Sequence, residues 1–312
     1  MWSSKRIVLA AIACLCLSLP AKAQSLGPAI DAAIQPHVAN RDFAGAVLVT
    51  SGGDIVFDKA YGSADIARNI QNTTATSFHI GALSEAWTAA IAMHLVEKGS
   101  LRLDNSVAQF IADFPGGERI TVRDLLEGKP DPETAYRALA RIVAQQSAAS
   151  FGEALNALLF APYWMDGAGI DNDDLEPGRR YALGYVPDGA GGLKRADTLR
   201  WSERAGDASL FATTRDELRF VNLLFGDSLL APETRAQMFG DANPSFGYGW
   251  QRRDDPALGG RVYSMAGQAG GFSAFVLHVP ARDVTVILLG NVGSSASRSL
   301  GEDIAALVRS GS

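Results

Sequence analysis

Hydrophobic and polar positions divide the chain into two strand-rich ends and a helical middle. Apolar and β-branched runs predict strands at residues 44–50, 55–61, 261–265, 272–279 and 284–291. Gly52 and Gly53 separate the first two runs, which is typical of a β-hairpin. Strands at both ends with helices between them predict a mixed α/β (α+β) fold, in which both chain ends complete one antiparallel sheet. Helices flank this sheet, and the middle of the chain forms an inserted helical region.

A 3.6-residue apolar period predicts helices at residues 26–40, 82–98, 132–146, 151–159, 214–225 and 297–309. Gly99 is placed to end the second helix. Thr121 and Asp124 have the spacing of a capping box and predict a short helix that ends at Leu126. Thr214 is the predicted start of the fifth long helix. Residues 163–206 are rich in Gly and Asp, show no sustained period, and are predicted to form a long surface loop.

The first 23 residues have the pattern of a secretory signal. Lys5 and Arg6 precede an apolar run at residues 7–19, and Ala-Lys-Ala follows at residues 21–23. The apolar run, at about 13 residues, is too short to span a bilayer comfortably. We therefore expect cleavage after Ala23, no stable membrane anchor, and a periplasmic or secreted location. The mature protein is then one domain of residues 24–312, with a helical subdomain at about 100–225.

Charge and cysteine content narrow the function further. Cys14 and Cys16 both lie in the signal segment, so the mature chain can form no disulfide and depends on its hydrophobic core. Without Lys5, Arg6 and Lys22, 25 basic residues remain against 34 acidic ones, a net charge of about −9. This balance argues against nucleic acid or an anionic membrane as a partner.

Several stretches resemble the serine β-lactamase and penicillin-binding-protein superfamily, and most of all its class C β-lactamase, esterase and D-aminopeptidase branch. Residues 78–104, FHIGALSEAWTAAIAMHLVEKGSLRLD, resemble the active-site helix of that family. Further similar stretches follow in the same order, at residues 120–126, 159–165 (the P-L-G-M turn), 208–220, 246–250 and 267–291. The resemblance covers nearly all of the mature chain and implies the β-lactamase/transpeptidase-like fold.

The resemblance also implies three catalytic motifs, and all three are degenerate here. Ala82 stands where the family's Ser-x-x-Lys motif has the nucleophilic serine, and Glu85 stands where it has the lysine. Residues 131–133, Asp-Pro-Glu, occupy the place of Tyr-x-Asn, and the segment before them is shorter than in the family. Met265 replaces the Lys or His of the third motif, of which only Gly267 remains.

No other part of the mature chain replaces the lost nucleophile. Residues three positions before the four mature lysines are Val56, Leu95, Leu126 and Gly191, so no second Ser-x-x-Lys exists. Ser84 is the alternative nucleophile, with Glu85 as a conceivable base, but its helical position directs it away from the nucleophile direction. Tyr136 is interpreted as a core residue. No histidine spacing indicates a metal site, and no cofactor is expected.

What remains from the resemblance is a binding cleft. Its oxyanion hole would be formed by the backbone N–H groups of Ala82 and Gln268, which do not depend on side chains. Glu85 disfavours an anion there, so a neutral cleft or one preferring a cationic or amide group is expected. The sequence thus predicts a catalytically inactive envelope protein that binds or regulates. Its partner would be an unidentified small molecule or peptide, of peptidoglycan or β-lactam type. The alternatives are a serine hydrolase (esterase, amidase or β-lactamase type) that uses Ser84, and a purely structural protein with a filled pocket.

Overall fold

The computed structural model describes residues 21–175, 180–240 and 245–311. The signal-peptide prediction falls almost entirely on residues 1–20, which lie outside the described residues. Within the described ranges, no helix combines the length and apolar character needed to cross a membrane.

The helices of the described ranges are α1 (Ala21–Ala39), α2 (Leu83–Glu97), α3 (Val122–Leu126), α4 (Pro132–Ser147), α5 (Phe151–Leu155), α6 (Thr214–Phe225), α7 (Pro232–Met238) and α8 (Ala296–Gly311). Shorter turns are 3₁₀ at Val107–Gln109, Trp201–Arg204 and Pro280–Arg282, and π-helical at Asn156–Phe160.

The strands of these ranges are β1 (Gly45–Ser51), β2 (Asp54–Tyr61), β3 (Ser63–Asp65), β4 (Ile70–Gln71), β5 (Phe78–His79), β6 (Gly169–Ile170), β7 (Tyr185–Pro187), β8 (Leu193–Arg195), β9 (Leu210–Ala212), β10 (Phe246–Gly247), β11 (Trp250–Asp255), β12 (Gly260–Ala269), β13 (Phe272–Val279) and β14 (Val284–Gly290).

A seven-stranded antiparallel sheet organises the molecule. Its strand order is β10-β11-β12-β13-β14-β1-β2, so the N-terminal hairpin pairs with the last strand of the chain. Gly45 lies opposite Gly290 in that pairing. The fold predicted from the sequence, a sheet completed by both chain ends with helices inserted between them, is confirmed.

Hydrophobic cores cover both faces of this sheet. Alternate residues of β14 point to opposite faces, with Val286 and Leu288 in one core and Ile287 and Leu289 in the other. Helices α1 and α8 close the first core, and α2, α4 and the rest of the helical region close the second. Every residue of β13 and β14 is buried, which explains their continuous apolar runs.

The structure corrects several predicted boundaries. Helix α5 ends at Leu155 and is followed by the π-turn, so the chain does not remain α-helical to residue 159. The cap of α6 is Thr213, one residue before the predicted start; its hydroxyl accepts the N–H of Asp216. The region predicted as a long loop contains three short strands and the Trp201–Arg204 turn. These pieces are too short for a period to reveal them.

Candidate functional site

Helix α2 begins against strand β12, and two glycines permit this contact. Gly81 has φ +53° and turns the chain from β5 into the helix. A Cβ on Gly267 would lie 2.3 Å from the Ile80 carbonyl oxygen and 2.7 Å from the Ala82 nitrogen. Only glycine fits there, so the remnant of the third motif is held directly beside the position of the lost nucleophile.

Two backbone N–H groups remain available at this contact. Ala82 starts the helix, and its N–H has no hydrogen-bond partner within the described residues. Gln268 lies opposite Ser273, one pair before the Ala269–Phe272 pair that closes a two-residue hairpin. Since bonded and non-bonded pairs alternate in an antiparallel ladder, the N–H of Gln268 points away from β13 and toward the helix start. The geometry therefore suits an oxyanion-type pair of donors.

Neither Ala82 nor Glu85, at the start of α2, carries a hydroxyl or thiol group. Ala82 is half-buried and offers only a methyl group. Glu85 follows one helical turn later, with only 6 % of its surface exposed. Its carboxyl has no hydrogen-bond partner in the described part of the chain. Burial raises the pKa of Glu85 to about 8; the nearby Asp207 and Glu133 carboxylates add to this and Arg204 opposes it.

A cluster of charges lies beside Glu85. The buried carboxylate of Asp207 accepts hydrogen bonds from Arg137 Nε at 3.0 Å and Arg204 Nε at 2.7 Å. Glu133, in the place of the family's Tyr-x-Asn, contacts Arg137 at 3.0 Å and Arg204 at 3.3 Å. The cluster thus contains three carboxyl groups and two guanidinium groups. It is electrically balanced when Glu85 is protonated and lacks one positive charge when Glu85 is ionised.

Tyr136 acts as an internal support. It is fully buried, its hydroxyl donates to the Leu126 carbonyl at 2.9 Å, and it accepts from the Gly249 N–H. Burial, followed by the nearby Glu85 carboxyl, raises its pKa well above the usual value. The interpretation of Tyr136 as a core residue is confirmed by these contacts.

Ser84 faces the interior of the protein. It has no exposed surface, and its hydroxyl accepts the Leu210 N–H at 3.3 Å. Helix α2 continues inward from there, where Thr88 donates to the carbonyls of Ser84 and Gly206. This placement argues against Ser84 as the alternative nucleophile.

Met265 is buried in the hydrophobic core next to the site. It is 5 % exposed and belongs to the core beneath α2. A thioether in place of the family's cation leaves no positive charge on this wall. The structure therefore brings together Ala82, Glu85, Gly267 and Gln268, whereas Met265 packs in the core.

Sequence reasoning missed the residues that surround Glu85. Glu133 and Arg137 are four residues apart on one helix, which is a recognisable ion-pair spacing. Arg204 and Asp207 come from a region without periodicity, and nothing local indicates that they reach α2.

His79 is a second buried group that the sequence did not single out. Its Nε2 lies 3.2 Å from Asp171, and its ring stacks on Trp201 at 3.8 Å. Burial lowers the pKa of His79, although Asp171 opposes this. Since Trp201 begins the turn that carries Arg204, this stack holds the charge cluster against the helix start. Among the described residues, no group of three or more His, Cys, Asp or Glu side chains could hold a metal.

The β-lactamase family model matches residues 30–127 and 133–309. The chain belongs to the β-lactamase family. The match is interrupted at residues 128–132, beside the place to which the resemblance assigns the second motif.

Relatives and solved structures agree with this assignment. The chain is 24 % identical to penicillin-binding protein 4* of Bacillus subtilis, over 80 % of this chain and 68 % of that protein. It is also 24 % identical to a D-aminopeptidase of Brucella canis, over 81 % of this chain and 57 % of that protein. FmtA of Staphylococcus aureus has the same fold, with a TM-score of 0.77 at 18 % identity over 90 % of this chain and 86 % of that one. A D-amino acid amidase of Ochrobactrum anthropi gives 0.77 at 20 % identity, over 92 % and 98 %.

Proposed function

We propose that this protein is an exported member of the β-lactamase family that binds a ligand in its cleft without forming an acyl-enzyme. It would act by binding or regulation in the cell envelope. The observation that carries the proposal is the methyl group of Ala82 at the nucleophile position, one turn before a buried carboxyl group at Glu85. A methyl group cannot attack a carbonyl carbon, and Ser84, the alternative nucleophile, is turned inward.

The binding part of the proposal is supported by the two backbone donors. Ala82 and Gln268 offer N–H groups to the oxygen of a carbonyl or carboxylate, and these donors are independent of the lost side chains. The ligand is a small molecule or peptide, such as a peptidoglycan-like or β-lactam-like compound.

Glu85 determines which chemical group the cleft favours next to the carbonyl of the ligand. A buried carboxylate without a partner is unfavourable, and the neighbouring cluster is one positive charge short when Glu85 ionises. A protonated amine beside the bound carbonyl would supply that charge, and an amide N–H would donate a hydrogen bond to the carboxyl group. We therefore infer that the cleft prefers a ligand with a free amine next to its carbonyl, and that an amide N–H at the same place, which brings a hydrogen bond but no charge, is bound less tightly.

Calorimetric titration tests both parts. The ligands are benzylpenicillin, peptidoglycan stem peptides with a free amine, and the same peptides after N-acetylation. The wild type should bind the free-amine peptides more tightly than the acetylated ones, and Glu85→Gln should reduce this preference severalfold.

Ala82→Pro is the matched variant for the donor pair. Proline removes the N–H, and the φ of −61° at Ala82 already suits its ring. This variant should weaken binding of every ligand equally, with a thermal melt showing that the fold is kept. Failure of all these ligands to bind at millimolar concentration would contradict the proposal.

A further inference from the structure

Trp164 is an exposed aromatic residue in an unusual backbone conformation. Its side chain is 75 % exposed, and its φ is +52°. Bulky side chains rarely adopt this left-handed conformation, because the Cβ comes too close to the following carbonyl oxygen. Trp164 stands at the glycine position of the P-L-G-M turn that residues 159–165 resemble. An exposed Trp in this conformation lowers the stability of the fold. Its presence is therefore better explained by a role in function than by a role in folding.

The segment before Trp164 is also irregular and is firmly held. The π-turn Asn156–Phe160 leads directly into it, and such turns occur frequently at functional sites. Tyr163 donates its hydroxyl hydrogen to the Ser228 carbonyl at 3.2 Å, and Met165 N–H bonds the Phe160 carbonyl at 2.9 Å. The indole therefore projects from a backbone fixed on both sides.

Trp164 forms one wall of a surface groove of about 470 Å³. Exposed arginines form much of the rest, and the polar turn at residues 73–75 completes it; the arginines are Arg180, Arg215 and Arg219. None of the cleft residues described above lines this groove, so it is a separate surface.

Arginines outnumber carboxylates among the lining residues of the groove by three to two, on a chain whose net charge is −6. Asp216 is 2 % exposed, and its oxygens are bonded to Thr213 and Arg219. Asp58 is paired with Arg215 at 2.6 Å. Asp166 is the exposed carboxylate among the lining residues. Each guanidinium carries five donors, so these ion pairs leave N–H groups for a ligand.

We propose that this groove binds an acidic oligosaccharide, with one sugar ring packed on the Trp164 indole and its carboxylate facing Arg215 and Arg219. A rigid indole suits a flat ring face, and guanidinium groups suit a carboxylate. The hydroxyl groups of the sugar match the polar side chains of Thr73 and Thr74. The overall negative charge of the chain argues against a nucleic acid as the occupant.

Trigalacturonate carries carboxylates, and its counterpart galactotriose is neutral. Comparing their binding separates the contribution of the carboxylate from that of the sugar ring packed on Trp164. The wild type should bind trigalacturonate in the millimolar range or better, and galactotriose at least severalfold more weakly. Trp164→Gly should weaken trigalacturonate binding about three- to tenfold. Arg215→Gln should weaken trigalacturonate binding while leaving galactotriose unchanged.

Melting temperatures show whether weaker binding by a variant is caused by the lost side chain or by misfolding. Trp164→Gly restores the residue that a positive φ favours, so its melting temperature should equal or exceed that of the wild type. Ile66→Ala removes another exposed apolar side chain, one that does not line the groove, and should leave binding unchanged. Equal binding by wild type and Trp164→Gly, equal binding of the two trisaccharides, tighter binding of adenosine monophosphate, or no binding at 10 mM would each overturn the proposal.

Discussion

At the scale of single residues, Glu85 stands where the resemblance to the family places a lysine, and its effect is not limited to the sign of the charge. A cation at this position could remain ionised beside Asp207 and Glu133, whereas a carboxyl group there is held protonated by burial and by those same acids. Glu85 is therefore protonated in the folded protein near neutral pH, one helical turn after Ala82.

The raised pKa of Glu85 makes the stability of the fold depend on pH. The pKa of Glu85 rises from an ordinary value of 4.5 to about 8 in the folded protein. Between these values the folded protein holds a proton that the unfolded chain has released, so the contribution of Glu85 to stability falls as pH rises. Below about pH 4.5 there is no such loss, and above about pH 8 it is complete.

Glu85→Gln cannot ionise and should remove this part of the pH dependence. Relative to wild type, the variant should gain on the order of 4 kcal/mol of unfolding free energy between pH 5 and pH 8.5. Paired melting curves at the two pH values measure this difference. The contribution of Glu217, whose pKa burial also raises to about 8, is common to both proteins and cancels. Parallel pH profiles for the two proteins would show that Glu85 is not protonated in the fold.

At the scale of elements, the contact between α2 and β12 positions both backbone donors. Gly267→Ala would place a methyl group 2.3 Å from the Ile80 carbonyl oxygen, and backbone atoms can move away only if the helix start shifts. We expect the unfolding free energy to fall by about 1–3 kcal/mol and the affinity for the cleft ligand to decrease. Chemical denaturation and the calorimetric titration measure the two effects.

Gly152→Ala is the control for this substitution. Its added methyl group would meet only Ile170, at 3.7 Å, and it lies in helix α5, where alanine is favoured over glycine. The control should be neutral or slightly stabilising. If Gly267→Ala is as stable as this control and binds the ligand equally well, the close contact between β12 and the start of α2 is not required for stability or binding.

Elements with a strong local signal were predictable, and the surroundings of the site were not. Strand β13 and helix α2 follow directly from long apolar runs, and Gly99, with φ +73°, lies just beyond α2 as predicted. Ala82 and Glu85 were identified because a motif spacing defines them. Arg204 and Asp207 are held near Glu85 by tertiary contacts that no local pattern encodes. Among these contacts are the stack of Trp201 on His79 and the hydrogen bond from Thr88 to the Gly206 carbonyl.

At the scale of the whole molecule, the two ends of the chain jointly support the cleft. Strands β1 and β14 pair inside the sheet, and cores on both faces hold that sheet against α2 and α8. This scaffold holds the backbone N–H donors of Ala82 and Gln268, which do not depend on the side chains at the site. This combination is what the proposed non-covalent function requires.

Intact-mass spectrometry after incubation with benzylpenicillin or a fluorophosphonate tests the central claim most directly, with an active serine β-lactamase as the positive control. We predict an unchanged mass for the wild-type protein under conditions where the control is fully labelled and calorimetry shows reversible binding of stem peptides. A covalent adduct on the wild type that Ser84→Ala abolishes would contradict the account.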